Sequence, residues 1–218
     1  SPEPQPWQGY SSKIQAGMQG MGMGLFETQF ITSDYVPNLI ICGELERKEI
    51  TEGYAAFIKR IDELDANYLG LFMQGLGHTL PFGYDMRMGV DRYQLVHDFF
   101  DCYLKTAEKL PPVVLVIFPA NNAQEVPLRT TVSIHLAPVI DEKSILENGA
   151  IKILRGKTNK AVTGKWKVSR GGSMFTFQPA AALEKNEQYK IIISSRVKNK
   201  QGIQLERERI VQFNTVNE

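Results

Sequence analysis

Two hydrophobic patterns divide this chain. Between residues 36 and 104, short unbroken apolar runs alternate with stretches whose apolar residues recur every three or four positions. Val36-Pro-Asn-Leu-Ile-Ile-Cys42, closed by Gly43, predicts a strand buried on both faces. Tyr54, Phe57, Ile58, Ile61 and Leu64 then share one side of a helix predicted over 51–64. Tyr68-Leu-Gly-Leu-Phe-Met73 is a second apolar run, and it leads into Gln74-Gly-Leu-Gly-His78. Asp91 and Gln94 have capping-box spacing. The helix they open places Tyr93, Val96, Phe99, Phe100 and Tyr103 on one face. Strand, helix, strand, helix in that order predicts parallel strands joined by right-handed crossovers. Two such strands leave faces and edges in need of partners, so this half reads as part of a larger folded unit.

At Pro111-Pro112 the period shortens to two. Seven short β-rich runs follow, at 113–118, 131–136, 151–154, 164–168, 174–178, 189–194 and 210–214. Alternation is plain in Val132-Ser-Ile-His-Leu136 and Met174-Phe-Thr-Phe-Gln178, and Arg170-Gly-Gly-Ser173 has the composition of a hairpin turn. This spacing fits a β-sandwich of about 100 residues. The parity of its strand turns His135 outward, away from the core. The expected domains are therefore 1–110 and 111–218.

The first 36 residues show neither period. Pro2, Pro4 and Pro6 oppose helix, and Gln15–Gly24 holds four glycines and three methionines, the composition of a loop or lid. Ser1-Pro-Glu-Pro-Gln-Pro6 has no basic n-region and no apolar h-region, so no signal peptide is expected within it.

Composition narrows the chemistry. The 218 residues carry 25 basic and 24 acidic side chains, a near balance that argues against nucleic acid or an anionic membrane as the main partner. No apolar run approaches the ~18 residues of a membrane span. Cys42 and Cys102 read as two buried thiols rather than a disulfide scaffold. The three histidines are isolated, so no metal site and no cofactor is expected. Asp62, Glu63 and Asp65 read as a solvated helix end, and Trp7 and Trp166 as packing residues that could alternatively stack on sugars.

The second half resembles the bacterial Ig-like domains of surface-layer and secreted enzyme proteins. The resemblance rests on Pro119-Ala-Asn-Asn-Ala123, Val126-Pro127, Thr131-Val-Ser-Ile134, Phe175-Thr-Phe-Gln-Pro179, Leu183, Tyr189-Lys-Ile-Ile-Ile193, Gly202 and Phe213-Asn-Thr215. It implies a module that acts as a spacer, packing partner or adhesion unit and carries no catalytic residues.

Residues 36–110 resemble the last β-α-β-α units of the α/β-hydrolase fold, near the dienelactone-hydrolase and prolyl-oligopeptidase-like branch. The matching stretches are Leu39-Ile-Ile-Cys-Gly43, Gly75-Leu-Gly-His78 and the helix over 93–104. The resemblance implies a fold class of α/β, a partial hydrolase, joined to an all-β immunoglobulin-like sandwich. It also implies His78 as general base and Glu46 as its orienting acid, with Glu44 and then Glu49 as alternatives. No G-x-S-x-G occurs; Gly20-Met-Gly-Met-Gly24 has a glycine where an elbow would carry serine.

The expectation is therefore the C-terminal part of a secreted or surface serine hydrolase, an esterase or peptidase that is inactive alone. An upstream segment or partner chain would supply the nucleophile, and the substrate would be an ester, amide or glycan-linked compound. The alternative is a non-catalytic scaffold whose Ig-like domain serves surface attachment, partner binding or carbohydrate binding. Either reading places the protein outside the cytoplasm.

Overall fold

The computed structural model describes residues 17–19, 37–73, 75–77, 84–85, 89–104 and 109–217. His78, Trp7 and the Gly20–Gly24 stretch lie outside the described residues. The chain forms two compact units, Ser1–Phe82 and Gly83–Glu218.

In the first unit, β1 (Gly17–Gln19), β2 (Asn38–Gly43) and β3 (Tyr68–Met73) form a parallel sheet in the order β1-β2-β3. The first of these falls in the Met/Gly stretch expected to be a loop or lid. All six residues of β2 are buried, as its unbroken apolar run demands. Helix α1 (Lys48–Glu63) connects β2 to β3. Phe57 and Ile61 from α1 pack with Ile40, Ala66 and Tyr68, and Tyr54, Ile58 and Leu64 widen the same cluster. Tyr68 is fully buried, and its hydroxyl donates to Asp62 Oδ1 at 2.7 Å. Asp62 therefore satisfies a core tyrosine, and is more than a solvated helix-end charge.

The second unit begins with β4 (Tyr84–Asp85) and β5 (Val90–Asp91), an antiparallel pair, and helix α2 (Arg92–Leu104). Asp91 Oδ1 accepts from the Tyr93 and Gln94 amides at 2.9 and 3.1 Å, satisfying two of the helix's orphan donors. The Gln94 amide side chain turns forward to Asp98, so only half of the expected capping box forms.

Two four-stranded sheets then face each other. One has the order β10-β11-β8-β6, built from β6 (Val113–Phe118), β8 (Val132–Ala137), β10 (Gly164–Ser169) and β11 (Met174–Pro179). The other has the order β7-β13-β12-β9, built from β7 (Ala123–Val126), β9 (Ile151–Arg155), β12 (Gln188–Ile193) and β13 (Arg209–Thr215). Every pairing is antiparallel except β7 on β13. The core between the sheets is aliphatic and aromatic, with Ile134, Phe175, Ile191 and Phe213 fully buried. Tyr189 stacks on Phe213 at 5.5 Å, and Trp166 packs on Phe177 at 5.0 Å. Each such side chain contributes about 1.5–3 kcal/mol relative to exposure. The predicted hairpin is present: Gly171 and Gly172 take the positive φ that its turn requires. Strand β7 and the short helix α3 (Glu142–Leu146) had no periodic signal, being too short to show one.

The expected α/β fold class, a partial α/β-hydrolase followed by a sandwich, is overturned. Sheet structure dominates, the two four-stranded sheets form the sandwich, and helices are few. Helix α2, expected as the last β-α unit, belongs to the second unit and packs on β6 and β8. A helical period shows that one face needs cover but is silent about which layer supplies it. The buried residues of α2 are Leu95, Phe99, Cys102 and Tyr103, whereas Tyr93, expected on that face, is 58% exposed.

Candidate functional site

The carboxylates assigned to acyl transfer follow the C-terminal end of β2. There the chain is drawn tight by its backbone. The Glu44 amide donates to Met73 O at 2.9 Å and the Leu45 amide to Leu76 O at 2.8 Å. Gly43 has no room for a side chain, since a Cβ would stand 2.5 Å from Leu76 O and 2.7 Å from Gly77 O. The Glu44 carboxylate accepts from the Gly75 amide at 2.8 Å, so it ties the turn after β2 to the loop after β3. Glu46 is half-buried in the same turn, and Glu49 is exposed in the first turn of α1, where a negative charge suits the helix dipole. The structure therefore brings Glu44 to the loop that precedes His78, and gives that carboxylate an architectural task. His78 itself is not among the described residues.

The two cysteines are free, buried thiols. Burial raises the Cys42 thiol above its ordinary range, with a smaller contribution from Glu46. Burial, reinforced by Asp98 and Asp101, pushes Cys102 up to about 12. Both are therefore protonated and unreactive at neutral pH.

His135 is the residue that the sequence reading most misplaced. Its parity is as expected, since Val132, Ile134 and Leu136 fill the sandwich core and His135 points to the other face. That face is not solvent. His135 is 1% exposed and Ala137 fully buried, on the strand pair β6–β8 against which α2 packs. A bulge in β6 sets Leu115 and Val116 opposite His135 and adds an apolar residue there. Neither ring nitrogen has a hydrogen-bond partner. Burial, and secondarily the Arg170 charge, lowers the imidazole to about 3, so the ring is neutral.

At the far end of the sandwich, Arg155 Nε donates to Glu187 Oε2 at 2.9 Å and Arg155 Nη1 lies 3.5 Å from Glu184. The Glu187 amide donates to Thr215 Oγ1, whose hydroxyl hydrogen bonds to Glu184 O. The Arg155 hydrogen bond holds the Glu187 carboxyl below its ordinary range. This network pins β9, β12 and β13 together. Among the described residues, no three or more His, Cys, Asp or Glu side chains cluster to hold a metal ion. No described helix is long and apolar enough to cross a membrane.

Residues 108–215 match the family model described as bacterial Ig-like domain, across all of the strands from β6 to β13. That half of the chain is a bacterial Ig-like domain. The α/β-hydrolase resemblance of residues 36–110 finds no counterpart in any family match. No curated protein matches the chain significantly. Among solved structures, the native alpha-2-macroglobulin of Escherichia coli aligns over 50% of this chain at 14% identity and a TM-score of 0.38. The LD transpeptidase LdtMt1, in complex with imipenem, aligns over 49% at 15% identity and 0.35. Domains 1–6 of the surface layer protein SbsC align over 78% at 13% identity and 0.38. The chain spans only 6%, 41% and 19% of those three structures. Helix α2 ends before the matched region begins, so it is an addition to the Ig-like domain.

Proposed function

We propose that the protein is a non-catalytic module of an extracytoplasmic protein, in which the Ig-like domain acts as a rigid spacer and packing partner. The observation that carries this reading is the closed sandwich over 108–215. Its interior is filled by side chains such as Ile134, Phe175 and Phe213, and buried polar groups such as Glu187 and Thr215 are spent on holding strands together. Such a body transmits position rather than performing chemistry.

Three measurements test the proposal. A fluorophosphonate probe is expected to label no serine, and His78→Ala is expected to leave stability and binding unchanged. Protease added to cells of the native host, intact or with any outer envelope opened, is expected to reach the protein without lysis of the cytoplasmic membrane. A labelled serine would overturn the non-catalytic assignment, and cleavage only after lysis of the cytoplasmic membrane would overturn the location.

A further inference from the structure

We infer that His135 is an acid-sensitive latch under helix α2: at neutral pH the helix is docked on the outer face of the β6–β8 sheet, and protonation of the ring undocks it while the sandwich stays folded. This goes beyond the spacer reading and does not depend on it.

The geometry leaves a protonated ring nowhere to go. His135 is 1% exposed, and both nitrogens already lack a partner in the neutral form. Among the described residues, the elements packed around it supply no counter-charge. From β6 come Leu115 and Val116, and from β11 the cross-strand neighbour Met174. The Arg170–Ser173 turn contributes a positive charge, Arg170, which opposes protonation. The buried side of α2 presents Leu95, Phe99, Cys102 and Tyr103; Cys102 stays neutral, and Asp98 and Asp101 act on that thiol rather than on the ring. A buried imidazolium without a partner is expelled to water or drives its cover away. The cover is the separable part. The sandwich core excludes His135, and the family match begins only after α2 ends.

The direction with pH follows from linkage. An exposed histidine ionises near 6.5, so the undocked state takes up a proton below that value and the docked state does not. Undocking therefore grows about tenfold for each unit of pH below roughly 6.5, and levels off near the docked ring's own value of about 3.

Native-state hydrogen exchange on the full chain at pH 7 and pH 5, corrected for intrinsic rates, tests this. The opening constant of α2 amides is expected to rise roughly 25-fold, while β12 and β13 amides keep their protection. Cys102, but not Cys42, should become labelled at pH 5 by dithiodipyridine, which reacts with thiols in acid. His135→Leu is expected to abolish the acid response. His135→Gln, which stays polar but cannot ionise, gives the same reading if the leucine variant fails to fold. The inference is overturned if either folded variant keeps the wild-type response, if α2 does not open in acid, or if α2 and the sandwich strands open together.

Discussion

Strand β8 lies between two apolar layers that are built differently. On one side Val132, Ile134 and Leu136 meet the opposing sheet, in a core of aliphatic and aromatic side chains. On the other side His135 and Ala137 lie under α2, beside the bulged Leu115–Val116 pair. The first layer joins strands distant in sequence and contains only groups that are content without water. The second includes an imidazole with neither nitrogen satisfied. Burial alone therefore does not mark equivalent layers: the inner one is the structural body, and the outer one is held by a helix that a single proton can disfavour.

The largest test of that contrast is Phe175→Ala. Phe175 is fully buried in the core, so its truncation should cost about 3–5 kcal/mol and shift the urea unfolding of the whole sandwich. A loss confined to α2 would refute the separation of the layers. Asp91→Ala removes the side-chain cap of α2 and should cost about 1 kcal/mol. That loss should appear as faster exchange of α2 amides, with the β12 and β13 amides unchanged. The smallest effect is expected from Glu187→Gln at the far end of the sandwich. The Glu187 carboxyl sits below its ordinary range, so its contribution is present above roughly pH 4.3 and is lost as pH falls through its lowered value. The variant should flatten the acid limb of thermal unfolding only there. His135 acts from about 6.5 downward, so the stretch between about 6.5 and 4.3 belongs to it alone.

Much of the sandwich was legible in the chain. Alternation over 132–136 and 174–178 gave strand and face, and Arg170-Gly-Gly-Ser173 gave the turn. Asp91 announced the start of α2 through cap spacing that depends only on local backbone geometry. The candidate catalytic pair was not legible in the same sense. Glu44 and Glu46 were chosen by resemblance to a fold that the chain does not adopt, and Glu44 is engaged by the Gly75 amide. Short elements such as β7 and α3 left no trace, because four or five residues cannot display a period.

By itself, the sequence determined where the longer strands and helices form and, for most of their positions, which face is apolar, because those properties depend on neighbours two to four positions away. It also indicated that the second half is a β-sandwich, since seven short runs with period-two alternation fit that architecture. Only the tertiary structure decided what each apolar face meets. It placed α2 on the sandwich and thereby buried His135, whose outward parity would otherwise have meant water. Parity is a property of the strand, whereas solvent is a property of what packs on it.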